Sequence, residues 1–575
     1  MTERRYGMEG GRMPYSWPED SDLALCELDV LERDCPDCGR MMHVGGHRHR
    51  RIHTLEGPVE LICKLDRCPD PACPGHARTK SPECEVTIAL PKWAIGWDVL
   101  CWIGHRRCSR HWSVPQIQTE LRDAYQIKLS ADSIAGYIRH YQVMLAARQQ
   151  DPDALRREYE SVEEIILSID GLQPEKGHET LYVVRELTRK RVWFAEPLIS
   201  ATADEVRRLI AKAREWADAM GKPVALWMSD RQDAFVTGIA AEFPDVPHRY
   251  CENHFLRDLA KPVLEADSHA KVQMRREVRG LRKVEQAVLK HQKERAMDAL
   301  GPEDAGATVT TIVAATNVSS SGLDLATDVV LSYCTAVRGI LNDDQGGPLH
   351  PPGLRMAEAL QEVRASIQRN LDEEKGGFAE EQLGRLAGCI DRGLDAVEEV
   401  QKTIREYVGV ITEVAATLEP GTEDCTERQE KFEELIDRFE ATEDPVRDQM
   451  ATVMLSFLDG LFVGEDEFEE IRDNLDLERW FRLPKSHERR IHGHRHAGIR
   501  IVIEGATLVH ALDAHAAHPQ PFAAADLLPY RMAQEPPSQS DALNRRKIMR
   551  KARSSKTRST LLADLERRYR ESPSS

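Results

Sequence analysis

Two aspartates stand where a sequence can place metal-binding carboxylates: Asp170, closing the apolar run EEIILSID, and Asp230, closing PVALWMSD. Each run reads as a buried β-strand, and side chains at the C-terminal ends of such strands project into a crevice instead of the core. Taken singly, an Asp after a strand is an ordinary turn or helix-capping residue. Carboxylates are the hard oxygen donors that Mg2+ prefers, whereas thiolates are not. A second set of donors is soft. Cys35 and Cys38 form Cys-Pro-Asp-Cys before Gly39, a turn from which two thiolates reach one zinc ion, and Cys68 and Cys73 in RCPDPACPGH supply a second pair. Cys63, Cys84, His43 and His76 compete for the same role. The expected ion is a structural Zn2+.

The elements between these donors are legible. Between the two cysteine pairs, RRIHTLEGPVELICKL alternates like a β-hairpin, which together with the cysteines makes a zinc ribbon. In SVPQIQTELRDAYQIKLSADSIAGYIRHY, Ser113 and Gln116 fit a capping box, with Ile117 and Leu121 at helical spacing. Ser130 or Asp132 caps a second helix with Ile134, Ile138 and Tyr141 on one face. Two short helices joined by a turn give a helix-turn-helix, or else a plain helical hairpin, with Arg139 and His140 available to DNA. From Ser161 to Pro262 strands and helices alternate as in an α/β sheet: a strand ending at Asp170, TLYVVREL, RVWFAEPL, a helix closed by Gly221, and a strand ending at Asp230.

A chain of 575 residues divides into several domains. Its 41% hydrophobic and 30% charged residues are those of a globular protein, and no run of about 18 uncharged apolar residues is present to span a bilayer. The N-terminus lacks a signal-peptide core, so a cytoplasmic, nucleoid-associated location with reduced thiols is expected. The net charge of −18 argues against a nucleic-acid partner on average, but acid concentrates in about 372–476, while 101–150 and the tail from Arg545 are locally basic.

The succession of strand, acid, two antiparallel strands, helix, strand and second acid is the layout of the RNase H-like fold, and the chain resembles the DDE transposases of prokaryotic insertion sequences. After Asp230, a helix (QDAFVTGIAAEF) and a strand lead into HRYCENHF, whose Cys251-x-x-His254 is similar to the C-x-x-H element of Mutator-like, hAT and several bacterial insertion-sequence transposases. Far downstream, NLDLERWFRLPKSHERRIHGHRHAG looks like the family signature: an Asn-containing approach, a catalytic Glu on a helix, an aromatic, a Lys and an Arg-Arg pair before a Gly. The resemblance spans about 30–505. It implies that Glu478 is the third acid, with Glu488 as runner-up and Pro484 expected to break or kink the helix between them.

The implied fold class is multidomain α/β (α+β): an RNase H-like mixed-sheet core with a large all-helical insertion, preceded by the zinc ribbon and the helix-turn-helix. The expected parts are a flexible leader 1–22, zinc ribbon 23–95, helix-turn-helix 96–150, core 160–264, helical insertion 265–470, a last core segment 471–512 and a basic tail 513–575, with disorder of the tail in the absence of DNA left open. In the insertion Leu383, Leu386, Ile390, Leu394, Val397, Val400 and Ile404 step as a bundle seam does. By resemblance Asp170 bridges two Mg2+ ions, with Mn2+ a substitute, and Asp230 and Glu478 each complete one. Arg479, Arg482, Lys485, Arg489 and Arg490 hold the DNA backbone, or merely offset the acidic segment. Cys251 and His254 form either a zinc clip, with two ligands from His487, His492, His494 or His496, or a structural turn. The expected activity is DNA cleavage and 3′-OH strand transfer at terminal inverted repeats, into target DNA, by a homodimer or higher oligomer. Its rivals are a silent DNA-binding derivative, a nuclease of the same superfold that cuts without joining, and a zinc-bearing scaffold.

Overall fold

A computed structural model describes residues 23–174, 178–199, 202–299, 325–421, 423–468, 470–493 and 498–571. The leader 1–22 and the candidate ligands His494 and His496 lie outside the described residues. The architecture is mixed α/β with a large helical region, in two compact units: Met1–His248 with Asp473–Ser575, and Arg249–Arg472.

The first unit opens with a small sheet. Strand β1 (Ala24–Leu28) runs parallel to β3 (Gly57–Arg67), and β2 (His43–Thr54) pairs antiparallel to β3 as the hairpin read from the sequence. The two-residue β4 (Thr79–Lys80) adds to β3, and the one-turn helix α1 (Glu85–Ile88) follows. Next come α2 (Trp97–Cys108), α3 (Val114–Tyr125) and α4 (Ala131–Gln149). The capping box of Ser113 and Gln116 is formed, and of the two candidates at the second start it is Ser130 that caps α4, accepting from the Ser133 N–H. Ile117, Leu121, Ile134, Ile138 and Tyr141 are all buried in one core.

After α5 (Pro152–Glu158), a five-stranded sheet is built in the order β7-β6-β5-β8-β9. Its strands are β5 (Ile165–Leu172), β6 (Thr180–Glu186), β7 (Arg191–Leu198), β8 (Val224–Ser229) and β9 (His248–Tyr250). Strands β5, β6 and β7 form an antiparallel meander, while β8 lies parallel to β5 on its other side. The parallel pair requires a crossover, supplied by α6 (Ala203–Met220), which Gly221 ends in the left-handed conformation at φ 66. Helix α7 (Asp233–Glu242) packs beside α6, where Gly238 leaves no room for a Cβ, which would lie 2.7 Å from Ile210 Cδ1.

The second unit is helical. It contains α8 (Glu252–Leu259), α9 (Lys261–Glu277), α10 (Leu281–Ala299), α11 (Leu325–Leu341), α12 (Pro352–Leu371), α13 (Phe378–Asp395), α14 (Glu398–Leu418), α15 (Cys425–Glu440), α16 (Pro445–Leu461) and α17 (Glu465–Phe468). Asp267 is buried and accepts from the Gly353 and Leu354 N–H groups at 2.6 and 2.7 Å, satisfying the first turn of α12. The apolar seam read as continuous is interrupted. Helix α13 ends before Ala396, so Leu383, Leu386 and Ile390 belong to one helix and Ile404 to the next, while Val400 stays 42% exposed. A 3.6-residue pattern carries across a helix break whenever the break itself spans about one turn.

The chain returns through α18 (Leu475–Trp480), α19 (Arg482–His492), α20 (Arg500–Ile503) and α21 (Gly505–Ala517), followed by α22 (Ala524–Leu527), α23 (Pro537–Arg553) and α24 (Ser555–Glu571). Within the first unit α21 shares a core with α2 and α4, joined by a hydrogen bond of 2.8 Å between the Tyr141 hydroxyl and His515 Nε2. The first part of the tail packs on this unit: Phe522 and Leu527 are core residues, Gln539 is buried, and Arg545 pairs with Glu179 at 2.6 Å.

Candidate functional site

Register places the two aspartates. In the parallel pair, Ile169 lies opposite Ser229, so Asp170 and Asp230, one residue further on, come side by side on strands spaced about 4.8 Å apart. Asp170 does not close its strand as read: β5 continues to Leu172, and Asp170 is paired with Val183 of β6. Gly171 then donates its N–H to Asp170 Oδ1 at 2.6 Å. A Cβ on Gly171 would meet Thr180 Cγ2 at 2.9 Å, so glycine here lets β6 close against the acid.

The third candidate acid arrives from over 300 residues away in sequence. Asn474, fully buried, accepts from the Ser168 hydroxyl and donates through Nδ2 to the Ile169 carbonyl at 3.5 Å, fixing the start of α18 on β5. Leu477 is buried against Leu172, Leu181 and Val183. Glu478 follows Asn474 by one turn, its N–H donating to the Asn474 carbonyl at 3.0 Å, which lays both side chains on one face. Arg185 holds Asp476 at 2.7 Å and Asp513 at 3.2 Å, and Trp480 donates to Asp513 at 2.8 Å, completing the clamp on this short helix.

Electrostatics ties the three together. The Asp170 carboxyl is raised to about 7: burial contributes most, the charges of Asp230 and Glu478 push the same way, and the Gly171 N–H and Lys485 oppose. Tyr182, on β6, shares the surroundings: burial lifts its phenol, Gln232 opposes, and Asp230 and Asp170 add to the rise. A cluster of acids that repel one another in a partly dry site is what a divalent cation relieves, and an all-oxygen donor set suits Mg2+ or Mn2+.

Glu488, the runner-up, lies elsewhere. Phe481 caps the end of α18 and the start of α19, so the two glutamates belong to different helices. Glu488 is buried near Glu504, Arg500 and Arg107, and burial first, then Glu504, raises it to about 7. Of the basic residues after Glu478, Arg479, Arg482, Arg489 and Arg490 are exposed, and Lys485 is half-buried with its charge felt at Asp170. His487, a suggested zinc ligand, is instead buried at 2.9 Å from His111, Nδ1 to Nδ1. In the second unit Cys251 is buried at the start of α8, with half-buried His254 in its first turn.

The four cysteines form a compact cluster. Cys35, Cys38, Cys68 and Cys73 bring their Sγ atoms within 4.8 Å of one another, with Cys35 3.8 Å from Cys73 and Cys38 3.6 Å from Cys68. Tetrahedral zinc with Zn–S bonds of about 2.3 Å requires sulfurs about 3.8 Å apart, so the set can hold a structural Zn2+. Gly39 takes φ 71 at the first knuckle. At the second, Gly75 donates its N–H to Cys73 Sγ at 3.4 Å, and a Cβ there would strike Cys35 Sγ at 2.7 Å. The Asp37 backbone N–H draws the Cys35 thiol down to about 7. At Cys68 and Cys73 the backbone N–H groups of Asp70 and Gly75 are outweighed by burial and the neighbouring thiols, so Cys68 is raised and Cys73 is raised to about 12; a metal must displace those protons. Two of the competitors are occupied otherwise: Cys63 lies in the hairpin core with its thiol raised by burial, and His76 Nδ1 meets the Cys68 carbonyl at 2.7 Å; neither Cys84 nor His43 joins the cluster.

On the two-helix element, Arg139 is exposed with Glu535 at 3.5 Å. His140 is placed less openly than the sequence suggests, its ring edge-on to Trp93 at 4.7 Å and its proton affinity lowered by burial. Sequence reasoning missed Tyr182 and Gln232, and gave Lys485 to DNA, not to the acids; no local pattern marked them, since strand alternation places Tyr182 on the opposite face of the sheet from Val183, the residue paired with Asp170. No protein-family model matches the chain, and no curated protein matches it.

Proposed function

We propose that the chain is a DDE-type DNA transposase that cleaves DNA at the ends of a mobile element and joins the freed 3′-hydroxyl to target DNA. One observation carries the proposal: a half-buried aspartate on the central strand whose proton affinity is raised by both other candidate acids. The sheet order, three antiparallel strands followed by parallel β8, is consistent with an RNase H-like core in which Asp170 and Asp230 occupy neighbouring strands. The hairpin with its four cysteines supports a zinc ribbon, and α3 with α4 a helix-turn-helix; both suit duplex DNA as partner.

Asp170, Asp230 and Glu478 would hold two Mg2+ ions, which when bound activate the attacking oxygen and stabilise the leaving one. The chain's own residues prepare that site. Asn474 sets the rotation of α18 so that Glu478 meets the strand ends, and the Gly171 N–H orients the Asp170 carboxylate. Lys485 offsets part of the negative charge that phosphodiester and acids bring together, and exposed Arg479, Arg482, Arg489 and Arg490 are placed for backbone phosphates. A homodimer or larger assembly acting in the cytoplasm at the nucleoid belongs to the same proposal; no described helix is long and apolar enough to cross a membrane.

Strand transfer between labelled duplexes with Mg2+ tests it. Asp230→Asn and Glu478→Gln should each abolish joining while leaving duplex binding intact, and Glu488→Gln should stay active. Cleavage without joining by the intact chain would favour a nuclease, and loss of activity in Glu488→Gln with Glu478→Gln active would overturn the assignment of the third acid.

A further inference from the structure

The tail carries positive charge that no acid of the described fold answers. Residues 542–563 hold eight basic side chains and no acidic one, and of the eight only Arg545 meets a described acid, Glu179 at 2.6 Å. The other seven divide between the second half of α23 and the start of α24.

Helical spacing aims these cations. In its first half α23 packs on β7, with Gln539 and Ala542 buried and Gln539 accepting the Thr507 N–H of α21 at 3.1 Å. The same stripe, followed in steps of three and four residues, continues as Arg546, Arg550 and Arg553. A merely solvated face would stand opposite the buried stripe; here the cations prolong it. Arg546 is half-buried and Arg550 and Arg553 are exposed, so the inward side of the helix runs past the edge of its core and turns cationic, with exposed Lys547 and Lys551 beside it. Glu179 sets where this happens. It precedes β6, on which Tyr182 pairs with Gly171 and Val183 with Asp170, so its ion pair with Arg545 fixes α23 at the end of the sheet where the two aspartates lie. Four residues separate Glu179 from Val183, about 13 Å at 3.3 Å each.

We propose that Arg546, Arg550 and Arg553, flanked by Lys547 and Lys551, form a contact surface for the phosphate backbone of duplex DNA running on from the acid cluster. The choice of duplex DNA among polyanions rests on the transposase reading; the cationic stripe does not. From Arg546 to Arg553 the helix rises about 10 Å at 1.5 Å per residue, which spans about three phosphates of one strand at 3.4 Å each along the duplex axis. Guanidinium groups bind phosphate oxygens two at a time, and contacts to the backbone add affinity and orientation rather than sequence choice. The competing occupant is the acidic second unit of another copy, with its net charge of −19.

The test measures binding of the full chain to random-sequence duplex DNA across a salt series, with the thermal midpoint reporting folding and light scattering reporting self-association. The triple variant Arg546→Gln, Arg550→Gln, Arg553→Gln is set beside a control, Arg567→Gln, Arg568→Gln, Arg570→Gln, which removes the same charge from residues paired with Asp564, Glu566 or Glu571. The expected result for the first is binding weaker by about tenfold or more at low salt and a log-log salt slope shallower by about two to three, with a much smaller change in the control. Arg546→Lys, Arg550→Lys and Arg553→Lys together should keep most of the affinity and slope. Unchanged affinity and slope overturn the proposal, and so does an equal loss in the control. Salt-sensitive self-association that the first variant abolishes while duplex binding holds would assign the stripe to a second copy instead, and tighter binding of single-stranded RNA than of duplex DNA also overturns it. If Asp230→Asn and wild type are equally inert in strand transfer while α23 still governs duplex affinity, the transposase reading fails and this one stands.

Discussion

Asp170 carries the sharpest consequence at the residue scale. Its carboxyl titrates at about 7 in the folded chain against about 3.9 when unfolded, so protonation stabilises the fold. That contribution is complete below about pH 4 and is lost as pH rises through about 7, a difference of about 4 kcal/mol at most for three pH units. Chemical denaturation of the metal-free protein should therefore show falling stability between pH 4 and 8, with Mg2+ restoring it at the upper end. Glu488, also raised to about 7, slopes the same way. Asp170→Asn should remove about half of the slope and leave that of Glu488; an unaltered pH profile would mean that burial and its neighbours do not hold Asp170 protonated. Asp170 and Asp230 were legible because each ends or nearly ends an apolar run. Lys485 and Tyr182 were not, since nothing in their own neighbourhoods marks them as neighbours of Asp170.

At the scale of elements, α18 is the least self-sufficient piece of the site. Six residues cannot hold a helix in water, so its position depends on Leu477 in the core and Asn474 on β5. Asn474→Ala leaves the Ser168 hydroxyl and the Ile169 carbonyl without that partner at a buried site and should cost about 1–3 kcal/mol. Strand transfer should fall by at least about a hundredfold while duplex affinity holds, because a small misplacement of a catalytic group is enough for such a loss. Full activity in this variant, checked beside its thermal midpoint, would show that Glu478 is positioned by other means. The strands, α6 and the capped helices α3 and α4 were readable because periodicity and caps are local. The break within the α13–α14 seam and the packing of the tail's first part were not: the former hides inside one helical turn, and the latter depends on core contacts such as Phe522 and Leu527 that no basic tail sequence announces.

Charge is the property of the molecule as a whole. Residues 249–472 hold 45 acidic and 26 basic side chains, a net of −19, so the remainder of the −18 chain is close to neutral at +1. The acidic average thus belongs to one unit, and the candidate DNA contacts belong to the other. Neutralising exposed acids of α15, as in Glu430→Gln, Glu433→Gln, Glu434→Gln, should speed association with duplex DNA at low salt without touching the contact surfaces. The gain should vanish near 1 M salt, where the screening length is about 3 Å. A gain that persists there, measured by stopped-flow binding, would place α15 in direct contact with the duplex.

By itself the sequence determined the strands and most helices, the two aspartates in or just after apolar strands and the two cysteine pairs, because periodicity, capping and knuckle turns act over a few residues. Tertiary structure decided which glutamate's charge reaches Asp170 and which cysteines converge. Those choices are made by register and by contacts such as Ser168 with Asn474, between residues that the chain keeps hundreds of positions apart.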